Sequence, residues 1–374
     1  MTREIRRIAV LRALGLGDLL LAVPALRSLR VGFPEAEITL IGLPIAADFA
    51  RQFGHYIDRF VPFPECPGIG EIDVASYPCT RFMQEQRAHG YDLVIQMHGD
   101  GTVGDELVTG LGGWVTAGYY AGDSPGGLTV AAPYPADSHE IVRNVGLVHL
   151  LGCPDCGMDL EFPLFLEDRR GAVSLLGRLQ ANGPIVGIHP GAHAPSKRWP
   201  AEYFAAIADE LVSRFHASIV LIGSPSDGDI GRAVIHRMDA PAVNLVGRTS
   251  LGALAALLSR LDLFIGNDSG PAQIAYAVDT PSITLFGPVD PDSRRPLRSE
   301  QHLILRHVVP CSPCDRRECP IDHRCLRHLA PETVSSLGAR LLKRGRQSST
   351  HLPSPITVAA PAFRDWGWPS PSWK

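Results

Sequence analysis

The 374-residue sequence is poor in lysine: only Lys197, Lys343 and Lys374 stand among its 35 basic side chains, and the rest are arginines. A planar guanidinium fork and a compact ammonium make different contacts, so a lysine kept in so arginine-rich a chain marks a position to examine. An excess of charge of either sign is also lacking. Thirty-five basic and 39 acidic side chains leave a formal net charge of −4, which disfavours a dedicated binder of nucleic-acid polymers. No stretch reaches the roughly 18–20 uninterrupted apolar residues of a membrane span. The N-terminal run IAVLRALGLGDLLLAVPAL is interrupted by Arg12 and Asp18 and reads as strand, turn and helix rather than as a secretory signal, so a cytoplasmic protein is expected. Eight cysteines fall short of disulfide-scaffold density, although four of them crowd between Cys311 and Cys325.

What is present is a globular composition, 45% hydrophobic and 20% charged, over a length that suits two domains. Short apolar runs rich in β-branched residues alternate with helical stretches, the pattern of an α/β chain with largely parallel sheets. Ile5–Ala13, Glu37–Gly42 and Asp92–Met97 read as strands of a first half, with a helix from about Asp18 to Val31. Pro184–His189, Ser218–Gly223, Ala242–Val246, Asp262–Gly266 and Ser282–Phe286 read as buried strands of a second half. Ala201–Phe215, Ser250–Arg260 and Pro271–Val278 read as the helices between them, and Pro331–Lys343 as a closing helix. Phe60–Arg81, rich in proline, glycine and cysteine, reads as irregular loop. The expected division is a first domain over 1–166, a linker over 167–183 and a second domain over 184–346. Residues 347–374 have no periodicity, are rich in proline and serine, and hold Trp366, Trp368 and Trp373. They read as a disordered tail or as a segment that docks its tryptophans on a surface.

Several loops carry the chemistry. Gly15-Leu16-Gly17-Asp18 follows the first strand, where two glycines permit a tight turn and close approach of a ligand above a helix start. It is not a dinucleotide fingerprint, because the third glycine would fall at Leu20. Asp18 is there either an ordinary capping acid or a catalytic base. His189-Pro190-Gly191-Ala192-His193-Ala194-Pro195-Ser196-Lys197-Arg198-Trp199-Pro200 follows the first strand of the second half, at the carboxyl end where wound α/β domains bind ligands. The Ser196 hydroxyl and the adjacent Lys197 and Arg198 cations suit a phosphate. In Gly266-Asn267-Asp268-Ser269-Gly270-Pro271, N–H groups at a helix start and the Ser269 hydroxyl can hold a diphosphate. Asp268 has sugar hydroxyls or Lys197 as its natural partners. Asp227, at the end of Gly223-Ser224-Pro225-Ser226-Asp227, is placed to accept hydrogen bonds from a ribose. Asp227-Gly228-Asp229 and Asp290-Pro291-Asp292 each match the Asp-x-Asp pair of metal-dependent nucleotide enzymes, a match too short to assign a metal. Together these loops form the layout for moving a group off a nucleotide diphosphate.

In order and spacing, RIAVLRALGLGDLLLAVPALRSLRVGFP, HPGAHAPSKRWP, NLVGRTSLGALAALLSRLDLFIGNDSGPAQIAYAVDTPSITLFGP and CSPCDRRECPIDHRC resemble the family 9 glycosyltransferases over roughly residues 5–345. These are the bacterial heptosyltransferases of the lipopolysaccharide inner core. The resemblance implies a GT-B fold: two Rossmann-like doubly wound domains facing across a cleft, with the nucleotide sugar on the C-terminal one and the acceptor on the N-terminal one. It implies that Asp18 is the catalytic base and Lys197 the diphosphate-binding lysine. Gly17, Ser196, Asp268, Ser269 and Gly270 would hold the donor, with Asp227 at the nucleoside. Where the family usually carries a histidine five residues after the loop aspartate, this chain has Gln273, which hydrogen-bonds but carries no positive charge. The implied activity is inverting transfer of a sugar, heptose from ADP-heptose, to a hydroxyl of a glycan or glycolipid acceptor, with no cofactor or metal required. Alternatives are a different nucleotide sugar or small-molecule acceptor, a GT-B nucleotide-sugar epimerase, or a non-catalytic nucleotide-sugar binder.

Cys311-x2-Cys314-x4-Cys319-x5-Cys325, with His323 nearby, suits a structural zinc site or a set of free, redox-sensitive thiols. Cys153 and Cys156 read as loop packing. Arg340, Lys343, Arg344 and Arg346 form either a solvated helix face or a peripheral contact with the inner face of an anionic membrane. Acceptor contacts are expected from the first half, including Arg81, Arg87, His98 and Arg143.

Overall fold

The computed structural model describes residues 4–64, 77–102, 104–122, 127–177, 179, 183–298 and 300–348. The chain divides into two compact units, one up to Leu160 and one from Glu161. In the first, strands β1 (Arg7–Leu11), β2 (Glu37–Gly42), β3 (Arg59–Pro62), β4 (Leu93–Gln96), β5 (Val115–Tyr120) and β6 (Val130–Pro133) form one sheet. Helices α1 (Leu16–Leu20), α2 (Val23–Gly32), α3 (Ala46–Gln52), α4 (Tyr77–His89), α5 (Gly104–Gly110) and α6 (Glu140–Leu150) connect or follow them. Every described pairing is parallel, in the order β3-β2-β1-β4-β5-β6, with Leu11 opposite both Ile41 and Gln96. Parallel strands covered on both faces need continuous apolar runs, and Ile8, Ala9, Val10 and Leu11 of β1 are all buried.

The second unit opens with α7 (Leu166–Leu176) and continues through β7 (Ile185–His189), α8 (Ala201–Phe215), β8 (Ser218–Leu221), α9 (Gly228–Ile235) and β9 (Ala242–Asn244). It is completed by α10 (Leu251–Leu258), β10 (Leu263–Asn267), α11 (Gly270–Ala277), β11 (Ser282–Phe286), β12 (His302–Arg306), α12 (Arg324–Arg327) and α13 (Pro331–Ser348). Its sheet runs β12-β11-β10-β7-β8-β9, again parallel. With the strands counted from β7, this repeats the order of the first sheet. Both units therefore have the Rossmann arrangement, α/β and doubly wound, and in each the order reverses beside the first strand: between β1 and β4, and between β7 and β10. Ligands of such sheets bind outside the carboxyl ends of the strands at that reversal, which marks two places to examine.

Some expectations change. The helix expected from Asp18 to Val31 is two helices, because Pro24 has no N–H to donate and sits instead in the first turn of α2. The segment expected as linker holds α7, whose N-terminus is capped by Asp168 accepting from the Phe165 N–H at 3.0 Å. That helix packs on α10 at Gly252, where a Cβ would fall 2.1 Å from Asp168 Oδ1. Part of the loop expected over Phe60–Arg81 is regular, since β3 runs to Pro62 and α4 begins at Tyr77. Residues 65–76 and the tail beyond Ser348, with its tryptophans, lie outside the described residues. Among the described residues no helix is long and apolar enough to cross a membrane.

Candidate active site

At the switch point of the second sheet, β7 ends on His189 and β10 on Asn267. The buried Asn267 amide shapes the long loop between β7 and α8. Its Nδ2 donates to the carbonyls of Pro190 (3.0 Å) and Gly191 (3.1 Å), and its Oδ1 accepts from the Trp199 N–H at 3.0 Å. Trp199 is fully buried, donates Nε1–H to the Leu329 carbonyl at 3.1 Å and meets the Phe204 ring edge-on at 4.9 Å. Held at both ends, the loop presents Lys197 beside the start of α11. The Lys197 Nζ donates to Asp268 Oδ2 at 2.7 Å, with the lysine half-buried and the aspartate buried. Of the two partners open to Asp268, the structure thus supplies Lys197.

Ser269, extended, caps α11, and Gly270 is its first residue. The Ser269 hydroxyl donates to the Asn267 carbonyl at 3.0 Å, so the His189 Nδ1, also 3.0 Å away, is the donor to that oxygen. His189 Nε2 stands 3.6 Å from Asp227 Oδ2. Burial alone would push the Asp227 carboxyl up, but His189 and the hydrogen bonds from Ser224 outweigh it and hold it down at about 2. Its Oδ2 accepts from the Ser224 N–H (2.8 Å) and hydroxyl (2.7 Å). Gly191 is required here by close approach, since a Cβ would fall 2.1 Å from Asp227 Oδ1. His189 and Asn267 stand inside the loops picked out in the sequence but were assigned no role of their own there. Their signal is position alone, the last residues of the two strands flanking the reversal.

The other expected donor residues differ in what they present. The Ser196 hydroxyl is buried and donates to the Arg316 carbonyl at 2.5 Å, turned away from any phosphate. Arg198 donates its Nε–H to the Ala192 carbonyl at 3.0 Å and so braces its own loop. Gln273 is buried and donates to the Arg294 carbonyl at 3.0 Å, and among the described residues its Oε1 has no partner. The two Asp-x-Asp pairs are engaged by arginines: Asp229 by Arg232, Asp290 by Arg306 at 3.4 Å, and Asp292 by Arg295 at 2.9 Å.

The cysteine segment braces the Lys197 loop from behind. Besides Arg316, the Arg317 carbonyl accepts from the Ser196 N–H at 3.2 Å, and Arg317 Nη1 donates to His193 Nε2 at 3.0 Å. Cys311, Cys314, Cys319 and Cys325 line one small cavity together with Ser196, as free thiols. The zinc reading finds no support in this arrangement, since among the described residues no three His, Cys, Asp or Glu groups are placed to share a metal ion. The spacing spreads the thiols between surface and core, with Cys311 and Cys314 exposed and Cys325 buried at α12, while Cys319 Sγ accepts the His323 N–H at 3.3 Å.

At the switch point of the first sheet, Gly17 and Asp18 lie in α1 just after β1, and Asp18 is half-buried. His98 follows β4. Burial lowers its basicity, the nearby Arg12 guanidinium lowers it further, and only the Asp18 carboxylate opposes them. Among the described residues its buried Nδ1 has no hydrogen-bond partner. The other residues expected at the acceptor are elsewhere engaged. Arg81 pairs with Glu85 at 2.9 Å, Arg87 donates to the Gly110 carbonyl at 2.9 Å, and Arg143 is buried against Glu140. Cys153 packs in the core against Gly32, and burial pushes its thiol up to about 12.

Residues 79–324 match the model of glycosyltransferase family 9 (heptosyltransferase). The chain is 28% identical over 190 residues to lipooligosaccharide heptosyltransferase 2 of Campylobacter jejuni, covering 50% of this chain and 58% of that protein. It is 28% identical over 289 residues to lipopolysaccharide heptosyltransferase 3 of Escherichia coli, covering 73% of this chain and 80% of that one. Against the type 2 relatives first matched, the chain spans only about half of their length. The solved structure of E. coli ADP-heptose lipopolysaccharide heptosyltransferase II superposes with a TM-score of 0.72 at 20% identity, over 91% of this chain and all of that one, a likeness of fold.

Proposed function

The chain belongs to glycosyltransferase family 9, the heptosyltransferases, and from that premise we propose that it moves heptose from ADP-heptose to an acceptor hydroxyl with inversion at the anomeric carbon. The observation that carries this reading is the Lys197–Asp268 pair, set at the switch point of the second sheet directly before α11. A diphosphate there meets an ammonium and the N–H groups of a helix start, both favourable to negative charge. Asp268 repels phosphate, so it orients Lys197 and faces the hydroxyls of the sugar. The Gln273 Oε1, with no partner among the described residues, is an acceptor for a further donor hydroxyl.

In the reaction the Asp18 carboxylate takes the proton of the acceptor hydroxyl as its oxygen bonds to the anomeric carbon. The bond from that carbon to the diphosphate oxygen breaks on the opposite face, and ADP leaves with the electron pair. Lys197 and the first N–H groups of α11 take up the charge that develops on the leaving oxygen, so the step is proposed to run without a metal. His98, near Asp18, is the residue proposed to meet the acceptor sugar. The acceptor itself is proposed to be a core sugar of lipopolysaccharide or a related glycolipid, by analogy with the named relatives. The exposed Arg340, Lys343 and Arg344 of α13 suit the anionic inner membrane surface on which such an acceptor is displayed.

The test is incubation with ADP-heptose and a panel of truncated core glycolipids, with ADP release and the anomeric configuration of the product read by NMR. ADP release that depends on acceptor, gives an inverted product and survives a chelator is expected. A retained configuration, or binding of UDP- or GDP-sugars in preference to ADP-heptose, would overturn the proposal.

A further inference from the structure

Arg12 follows the last residue of β1 and is 1% exposed. A guanidinium has five N–H donors in a fixed fork, and here all five have acceptors. Nε and Nη2 donate to the main-chain carbonyl of Asp18, at 2.9 and 2.6 Å. Nη2 also donates to Glu140 Oε1 at 3.0 Å, and Nη1 to the Met97 carbonyl (2.7 Å) and Asn144 Oδ1 (3.3 Å). Asn144 in turn donates its Nδ2 to the Leu21 carbonyl at 3.0 Å, beyond the other end of α1.

The need for such a clamp follows from α1 itself. Five residues make a helix too short to be stable on its own account, and the last carbonyls of any helix lack partners within it. The Asp18 carbonyl is one of these. Ala22, four residues on, donates instead to Leu19. A buried guanidinium with a carboxylate partner is seldom the most stable filling for a core, so its presence beneath the switch point calls for a role other than packing.

We propose that Arg12 is a positioning residue: through the Asp18 carbonyl it fixes where the Asp18 carboxylate points, and through Met97 it fixes the strand exit that carries His98. The inference rests on the reading of Asp18 as base. A carboxylate displaced by about 1 Å loses on the order of 10²-fold in rate while substrates still bind. Arg12→Lys keeps the charge and loses the fork. The test is a double-substitution cycle of Arg12→Lys with Asp18→Asn, reading kcat, acceptor KM and the affinity for ADP. Expected are a drop in kcat of about 10–100-fold for Arg12→Lys with ADP affinity unchanged, and no further drop when the same change is made in Asp18→Asn. If Arg12→Lys does not yield folded protein, Asn144→Ala removes one tether of the clamp and enters the same cycle. Equal losses in both backgrounds, or wild-type kcat in the folded variant, would overturn the proposal. Wild-type turnover in Asp18→Asn alone would instead sink the base assignment, and the positioning role with it.

Discussion

Replacing Glu140 by glutamine probes the buried charge network on which Arg12 depends. Glu140 opens α6 with its carboxylate between two guanidiniums, Oε1 accepting from Arg12 at 3.0 Å and Oε2 from Arg143. Burial alone would raise its pKa, but Arg12 and Arg143 outweigh burial and hold it down from 4.5 to about 2. The folded state therefore holds the charged form more strongly than the unfolded chain does. That contribution is fully present above the unfolded value and is lost as the pH falls toward the folded one. A gap from 4.5 to about 2 is worth about 3 kcal/mol at neutral pH. It agrees in size with the cost of uncovering a buried charge by removing its partner, about 3–5 kcal/mol.

Glu140→Gln keeps the shape and discards the charge, so at pH 7 the variant is expected to be less stable by about 3 kcal/mol. The assay is urea unfolding read by hydrogen exchange at the amides of β1 and α6, which reports the first unit alone. As the pH falls below 4.5 the wild type loses the same stabilisation, and near pH 3 the gap is expected to shrink to about 1 kcal/mol. A gap that stays constant from pH 7 to pH 3, or a variant as stable as the wild type at pH 7, refutes the electrostatic account of this core.

Asp18→Asn is expected to lower kcat by about 10²–10⁴-fold in an ADP-release assay and to leave calorimetric ADP binding as it was. Lys197→Ala is expected to cost about 10²–10³-fold in kcat, and Lys197→Arg an intermediate amount, because a planar fork does not replace an ammonium seated 2.7 Å from Asp268. Gly191→Ala would drive a Cβ to 2.1 Å from Asp227 Oδ1, so a weaker affinity for ADP in calorimetry is expected with little change in the melting of the first unit. Trp199→Ala empties a fully buried site at the end of the Lys197 loop and is expected to destabilise the second unit by about 3–5 kcal/mol in thermal unfolding.

Much of both sheets is legible in the sequence because strands buried on both faces must be apolar throughout. Glu37–Gly42 and Ser282–Phe286 stand in the structure at the bounds that periodicity assigns them. Strands β3, β5, β6 and β12 escape. Of these, β3 and β12 are edge strands in which arginine or histidine stands among the apolar residues, and β6 is only four residues long. Strand β5, although inside its sheet, carries the small or polar Thr116, Ala117 and Gly118 in mid-strand. In the site, the loops were visible from their small residues and their place after strands, but not the direction of each side chain. Ser196 looks like a phosphate ligand until the Arg316 carbonyl, 120 residues away, is seen to take its hydroxyl. Arg12 shows the same limit from the other side. Along the chain it is only a charge interrupting an apolar run, and its meaning lies in Glu140 and Asn144, more than a hundred residues on.

The two units share one topology and one place for a site, yet they hold their charges in opposite ways. At the first switch point the cation grips the main chain of the acid, two Arg12 nitrogens donating to the Asp18 carbonyl. At the second, the acid grips the cation directly, Asp268 on Lys197. A lysine held by a buried carboxylate is aimed before any ligand arrives, and on the proposed mechanism its two remaining N–H groups serve the phosphate oxygens. On the proposed mechanism, the acid held by its backbone would take the proton and the ammonium held by its head would face the leaving diphosphate. The exits of the two first strands differ accordingly: Arg12 follows Leu11 at the end of β1, whereas β7 closes on His189.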